Sequence, residues 1–185
     1  MASQALKSRR TSSSLSPMAL EHELESFHAS SFGWALACCG WNREDAEEAL
    51  QASYLKAVDG RARFNGHSST RTWFFGVVKH TAAERRRYRA VRGLALRRWF
   101  LQRPETDPVP TPETLSRGAE SQRTLRRLLA LLSRRQRELL HLVFYQELTV
   151  EEAGSVLHIS VGTARTHYER GKARLRELLS RAGEE

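Results

Sequence analysis

The segment from Thr149 to Leu179 constrains the fold most strongly, because it holds two signals for the start of a helix, separated by a short turn. In the first signal, Thr149 and Glu152 form a capping box, in which each side chain bonds the backbone N–H of the other residue. The second signal is Ser160, an N-cap residue type. It follows His158, a residue type that tolerates the left-handed conformation better than most. A short helix, a tight turn and a longer helix make a helix-turn-helix.

The longer helix of this motif separates small or apolar residues from polar ones. Residues that are predicted to pack on the preceding helices recur with helical spacing at Ala164, Tyr168, Gly171, Leu175 and Leu178. Residues that are predicted to contact DNA are Ser160, Thr163, Arg165, Thr166, His167, Glu169 and Arg170. A solvated helix usually mixes both signs of charge, but Glu169 is the only acid between Ile159 and Arg176. The pattern predicts a helix that enters the major groove, where arginine can bind a guanine edge.

The composition agrees with a polyanionic partner and argues against several other classes of protein. The formal net charge is +9, which favours nucleic acid or an anionic surface. No run approaches the roughly 18 apolar residues of a membrane span, and no secretory signal precedes the helices, so we expect no membrane insertion and a cytoplasmic protein. Cys38 and Cys39 are neighbours, and we interpret them as buried or half-buried apolar residues.

The first half of the chain is predicted to be a series of helices. An amphipathic helix runs from Leu24 to Cys38, Gly40 ends it, and Asn42 caps the next helix. After a turn-rich loop at 60–69, a further helix begins near Thr70 and ends in the basic run at 85–89. Each element is short enough for a small helical domain.

The second half is also helical, and prolines separate it from the first. Closely spaced prolines forbid a continuous helix, and they lie at Pro104, Pro108, Pro110 and Pro112. Ser133 is predicted to cap a helix over 134–145. The predicted fold is all-α, with two small helical domains joined by a flexible proline-rich linker. The predicted divisions are a disordered basic and serine-rich tail (1–18), a first domain (19–100), the linker (101–118) and a domain with the helix-turn-helix (119–185).

The order of these motifs resembles a known family. The first half contains RFNGHSSTRTWFFGVVKH, and after the linker comes LSRRQRELLHLVFYQELTVEEAGSVLHISVGTARTHYERGKARL. Together they resemble the extracytoplasmic-function (group 4) sigma factors of the sigma-70 family, which serve bacterial RNA polymerase. The resemblance covers about Leu20 to Leu179, with both sigma domains in the family's order.

The resemblance implies a protein that directs core RNA polymerase to promoters, assists promoter melting, and performs no catalysis with any cofactor or metal. The first domain, like sigma region 2, would bind the polymerase clamp and the −10 element. The second, like sigma region 4, would bind the flap and the −35 element. An anti-sigma factor would be a further partner.

The resemblance also assigns residues. The clamp contact falls on Asp45, Glu47, Glu48 and Gln51. Ala52 stands where the family usually has an acid, so this contact is expected to be weakened. The −10 contacts fall on Asn65, Gly66, His67, Ser68, His80, Arg85, Arg86 and Arg87. His80 replaces an asparagine that is frequent in the family, which predicts an altered base preference.

Three alternatives differ from this interpretation in class. A stand-alone helix-turn-helix regulator would bind its site without polymerase. An enzyme would need a metal-ligand cluster, a phosphate-binding loop or a nucleophile motif, and none is present, since the seven histidines are scattered. An adaptor that only occupied polymerase would leave the basic helix without a role.

Overall fold

The computed structural model describes residues 17–99, 124–125 and 127–182, whose regular elements are helices, with no strand among them. The predicted linker and all but the end of the predicted N-terminal tail lie outside them. The first half contains α1 (Pro17–Ser26), α2 (His28–Cys38), α3 (Arg43–Val58) and α4 (Thr70–Trp99). The second half contains helical residues 127–130, α5 (Arg134–Leu140), a π-helical turn (His141–Tyr145), α6 (Val150–Leu157) and α7 (Val161–Ala182).

Two predicted boundaries in the first half are wrong. The helix predicted over 24–38 is divided at Phe27 into α1 and α2. The helix predicted to end in the arginines at 85–89 continues to Trp99, because one glycine within a helix, here Gly93, costs only about 1 kcal/mol. Other local predictions are confirmed. Gly40 adopts a positive φ of 65° after α2, and the Asn42 side chain accepts a hydrogen bond from the N–H of Asp45 at 2.9 Å.

In the second half, the residues predicted to cap helices or to form the turn agree with the structure more closely than the predicted boundaries of the first half. Ser133 and Thr149 both form capping boxes, and His158 has a φ of 52°, in the left-handed region predicted for it. Ser160 accepts a hydrogen bond from the N–H of Thr163 at 3.2 Å. The helix predicted over 134–145 is wrong in its last turn, which is π-helical from His141.

One hydrophobic core contains residues from both halves of the chain. Trp34 of α2 and Phe75 of α4 have no exposed surface, and neither have Leu139 and Leu142 of the second half. The indole N–H of Trp34 donates to the carbonyl of Phe75 at 2.9 Å, which satisfies its polar atom inside the core. The helices of the two halves are therefore packed against each other along α2 and α4.

Polar groups also join the halves. Lys79 of α4 forms an ion pair with Glu138 of α5 at 2.8 Å, and their side chains are only 13% and 7% exposed. Arg71 of α4 donates to the carbonyl of Gln146 at 2.8 Å. Buried charges are costly unless they are paired, so these contacts fix how the halves meet.

A second, smaller core lies between α5 and α7. Its buried members are Leu132, Leu140 and Leu178. Gly171 lets the two helices approach closely, because a Cβ atom at this position would lie 3.2 Å from Gln136 Cβ. This core anchors the C-terminal part of α7, and the helix-turn-helix contact anchors its N-terminal part.

Candidate nucleic-acid interface

The orientation of α7 follows from the residues that it buries. Ala164, at the start of the helix, has no exposed surface, and it packs against Gly154 of α6, where a Cβ atom would lie 3.3 Å from the Cβ of Ala164. Gly171 and Leu178 are buried on the same side of the helix. The packing predicted from the apolar spacing is thus confirmed, and it turns the opposite side of α7 to solvent.

The solvent side of α7 carries the residues that were predicted to contact DNA. Exposed members of the set are Ser160, Thr163, Arg165, Thr166, Glu169 and Arg170, and His167 is half-buried. At 100° per residue, Thr166 and Arg170 lie nearly in line along the helix, and Arg165 lies to one side of them. The structure therefore brings this set together on one surface, which we call the recognition surface.

Some side chains of the recognition surface already bond other groups of the protein, and others bond no described residue. The hydroxyls of Ser160 and Thr163 lie 2.9 Å apart, and the Thr166 hydroxyl donates to the carbonyl of Gly162 at 3.0 Å. Glu169 pairs with Lys172 at 3.0 Å. Neither Arg165 nor Arg170 makes a side-chain hydrogen bond or ion pair with another described residue, so both guanidinium groups can bind an external acceptor.

The loop between α3 and α4 holds the next predicted set. Asn65, Gly66 and His67 are exposed, and Ser68 is half-buried. Gly66 has a φ of 71°, and the Asn65 side chain accepts from the backbone N–H of His67 at 3.3 Å. These contacts make a tight turn that exposes the His67 side chain.

His80 lies on α4 and is paired within the protein. Its Nε2 lies 3.2 Å from Oε1 of Glu84, and its side chain is 64% exposed. Glu84 also accepts a hydrogen bond from Lys56, and this bond lowers the pKa of the Glu84 carboxyl. Lys56 and His80 therefore share one carboxylate.

The basic run of α4 is partly occupied by carboxylates of α3. Arg85 donates to Glu48, and Arg89 pairs with Asp45 and with Glu48 at 3.1 Å. Arg86 and Arg87 are exposed, and neither has an ion pair among the described residues. Two acids predicted to bind polymerase are thus in contact with arginines of the basic run.

The four residues predicted to bind the clamp consequently lie on two sides of α3. Asp45 and Glu48 face α4, as described above. Glu47 and Gln51 instead line a groove of about 400 Å³ between α2 and α3. The floor and walls of this groove include Phe32, Leu50, Tyr54 and Leu55, so it offers a partner an apolar surface with a polar edge.

Sequence patterns did not identify the polar residues between the halves. His141 stacks on Trp34 with ring centroids 5.5 Å apart, and burial lowers the pKa of its imidazole to about 4. The side-chain amide nitrogen of Gln146 lies 3.2 Å from His141 Nε2. The backbone and side-chain oxygens of Gln146 accept hydrogen bonds from Arg71. The available signal was Glu138, the one acid of α5, directly before the apolar residues Leu139 and Leu140.

Three other residues have structural roles. Trp73 is half-buried, packs against the core and contacts Phe64 and Phe74, with ring centroids 5.4 and 6.1 Å away. Cys38 is buried and Cys39 is half-buried, and burial raises the pKa of both thiols. Protonated thiols of this kind behave as small apolar groups.

Two other kinds of site are absent from the described part of the chain. None of its helices has the length and apolarity needed to cross a bilayer. Nor do its histidine, cysteine and carboxylate side chains group in a way that could hold a metal ion.

The fold and the exposed basic helices define a helix-turn-helix DNA-binding protein. Residues 122–175 match the family described as sigma-70, region 4. The chain is 31% identical over 149 residues to the RNA polymerase sigma factor YlaC of Bacillus subtilis (strain 168), a match that covers 77% of this chain and 82% of that protein. The chain belongs to the extracytoplasmic-function sigma factors of the sigma-70 family, and it acts in promoter-directed transcription initiation.

A second relative agrees with this assignment, and a solved structure shares the fold. The ECF RNA polymerase sigma factor SigC of Mycobacterium tuberculosis (strain CDC 1551 / Oshkosh) is 30% identical over 133 residues, which are 69% of this chain and 66% of that protein. The fold is similar to that of the sigma factor RpoE from Bartonella quintana, solved with the anti-sigma factor NepR. That match has a TM-score of 0.65 and 21% identity, and it covers 86% of this chain and 96% of that one.

Proposed function

We propose that the recognition surface on α7 contacts the −35 element and that the loop at 60–69, together with α4, contacts the −10 element. One observation carries the first assignment: Arg165 and Arg170 are exposed and pair with no described residue, beside Ala164, which is fully buried. An unpaired guanidinium group that the fold holds outside the core can donate two hydrogen bonds to guanine or phosphate.

The proposed roles of the first half rest on different features. Arg86 and Arg87 are exposed cations that suit phosphate, and the Asn65–Ser68 turn is available to an unpaired base. His80 is 64% exposed and can exchange its contact with Glu84 for such a base. The groove edged by Glu47 and Gln51 is the proposed contact for the polymerase clamp, and the second half would contact the flap. Two weak DNA contacts, one in each proposed domain, gain affinity when polymerase holds them together.

We further propose that the protein acts in the cytoplasm, by binding alone and without covalent chemistry. An anti-sigma factor is a proposed partner, because the fold resembles that of a sigma factor solved with one. Affinity purification from uninduced cells tests this partner. Recovery of core polymerase as the sole stable partner would contradict it.

Promoter binding with and without core polymerase tests the function as a whole. We expect weak binding by the isolated protein and tight, salt-sensitive binding by the holoenzyme, because each DNA module is small. A stand-alone regulator would instead bind its site with equal affinity in both states.

Substitutions on α7 test the −35 assignment. Arg170→Ala should cost about 1–3 kcal/mol of promoter binding and relax one −35 position, if the side chain contacts guanine. Arg165→Ala should weaken all promoters similarly and reduce the salt slope by about 1, if it contacts phosphate. Glu169→Gln should change base preference more than affinity, because a carboxylate accepts only from a donor edge.

Selection of −35 sequences from randomised DNA by each holoenzyme is the measurement. Competition for core polymerase is the control, and neither arginine variant should be impaired in it. Unaltered −35 selection by both Arg170→Ala and Glu169→Gln would overturn the assignment of the recognition surface.

A further inference from the structure

The ion pairs between α3 and α4 withhold two arginines from the basic run. Asp45 and Glu48 lie one turn apart on α3, and Arg85 and Arg89 lie one turn apart on α4, so that two carboxylates face two guanidinium groups. The neighbouring Arg86 and Arg87 have no such partner among the described residues. Half of the four arginines in this run therefore carry an internal counter-charge.

We propose that Asp45 and Glu48 compete with DNA phosphate for Arg85 and Arg89, and so reduce DNA binding by the free protein. The inference rests on the proposed contact between this arginine run and DNA. It adds that the contact is regulated from within the same domain, by residues that touch no DNA themselves.

The exposure of the four side chains makes such an exchange feasible. Asp45 and Glu48 are 27% and 41% exposed, and Arg85 and Arg89 are 38% and 49% exposed. The Arg85–Glu48 pair, whose two side chains are both reached by water, contributes little to stability, and a phosphate accepts from guanidinium in the same bidentate manner as a carboxylate. The arginines can thus leave the carboxylates for phosphate without opening the core.

Competition of this kind also links DNA binding to any partner that contacts α3. A partner that presents basic groups to Asp45 and Glu48 would take over the carboxylates and release both arginines for DNA. Because linkage is reciprocal, DNA bound to the arginines would in turn expose the carboxylates to that partner.

The test is the binding of the isolated full-length chain to a labelled 30-base-pair duplex, followed by fluorescence anisotropy over a range of salt concentrations. The variant Asp45→Asn/Glu48→Gln should bind more tightly at low salt. Its plot of log affinity against log salt should be steeper by roughly one to two, because each additional phosphate contact adds about 0.9 to the slope. Circular dichroism checks that this variant is folded. The Asn42 cap uses the backbone N–H of Asp45, which the substitution retains.

The matched control is Glu25→Gln/Glu44→Gln. It removes the same two charges from exposed positions that form no ion pair with other described residues. General electrostatics would make both variants bind more tightly, but only competition for arginine increases the number of phosphate contacts. Equal salt slopes in the two double variants would overturn the proposal.

Two further variants distinguish a failure of the competition from a failure of the proposed DNA contact of the arginine run. Adding Arg85→Gln/Arg89→Gln to the Asp45→Asn/Glu48→Gln protein should cancel the gain, and a gain that persisted would overturn the competition. Arg86→Gln/Arg87→Gln should weaken DNA binding. If it weakens binding while Asp45→Asn/Glu48→Gln changes nothing, only the competition fails. If it has no effect, the DNA contact of the run fails and the competition fails with it.

Discussion

His141 is a histidine that burial keeps uncharged. Its ring lies between Trp34 and Tyr145, with centroids 5.5 and 5.2 Å away. Arg71 donates to the amide oxygen of Gln146, which leaves the amide nitrogen to donate to His141 Nε2. His141 Nε2 accepts this hydrogen bond and therefore carries no proton, in agreement with the imidazole pKa of about 4.

The lowered pKa of His141 predicts a loss of stability in mild acid. Between the unfolded pKa of 6.5 and the folded pKa of about 4, the unfolded chain binds a proton that the folded chain does not, so the free energy of unfolding falls as pH falls. The full loss contributed by this residue is about 3 kcal/mol, reached near pH 4.

Urea unfolding of the wild type and of His141→Phe, at intervals from pH 7 to pH 4, measures this contribution. Phenylalanine keeps an aromatic ring in the stack but leaves the Gln146 amide without its acceptor. We therefore expect a variant that is less stable at pH 7 by about 1–3 kcal/mol, with a shallower decline towards pH 4. Parallel stability curves for the two proteins would contradict the prediction.

Residues with local roles were the ones that the sequence predicted best. Ser133, Thr149 and Ser160 cap helices through partners three residues away, and His158 adopts the left-handed conformation, so short segments contained the necessary information. The partners of Arg89 and Lys79 lie on other helices. Nothing in the spacing along the chain specifies which carboxylate reaches them.

At the scale of elements, two glycines near the helix-turn-helix have different surroundings. At Gly154 in α6, a Cβ atom would lie 3.3 Å from both the Cβ of Ala164 and the carbonyl of Ile159. At Gly162 in the first turn of α7, a Cβ atom would meet nothing within 4 Å. The first glycine is required by the approach of two helices, and the second is not required by packing.

Alanine at these positions should therefore have opposite effects on stability. Gly162→Ala should raise the free energy of unfolding by roughly 0.5 kcal/mol, because alanine loses less backbone entropy in a helix. Gly154→Ala should lower it by about 1 kcal/mol, since the turn carbonyl of Ile159 cannot move without disturbing the motif. Chemical unfolding of both variants checks the signs, and an equal gain in both would refute the packing argument.

One error in the predicted elements lies where packing overrides local preference. The apolar pattern of residues 134–145 fits an α-helix, but its last turn is π-helical where His141, Phe144 and Tyr145 reach different neighbours. Such an insertion changes the register of the side chains by one position. A hydrophobic pattern of one turn cannot distinguish it from a regular helix.

At the scale of the whole molecule, the sequence predicted two helical halves but not how they pack. Trp34, Phe75, Leu139 and Leu142 each look like an ordinary core residue of its own half, and only the structure shows that they share one core. The polar contacts that accompany this packing could not be predicted either, because their partners are separated by 59 residues for Lys79 and Glu138.

The buried pair of Lys79 and Glu138 provides a test of that packing. Glu138 has two further cationic partners, Arg134 at 2.8 Å and Arg135 at 3.4 Å, whereas among the described residues Lys79 has only Glu138 as a counter-charge. Burial would raise the pKa of the Glu138 carboxyl, but the ion pair with Lys79 and the hydrogen bond from Arg134 together lower it. Burial lowers the pKa of Lys79, which is the direction expected for a cation that depends on a single partner.

Replacing Glu138 should therefore lower the free energy of unfolding more than replacing Lys79. Glu138→Leu leaves Lys79 buried without a counter-charge, and we expect a loss of about 3–5 kcal/mol in the free energy of unfolding. Lys79→Met leaves Glu138 with both arginines and should cost only about 1–2 kcal/mol. The double variant should be more stable than Glu138→Leu alone, because no buried charge remains and the half-exposed arginines can turn to water.

Urea unfolding of the four proteins completes the double-mutant cycle. Additive losses, or a larger loss for Lys79→Met than for Glu138→Leu, would show that the pair does not join the two halves in solution.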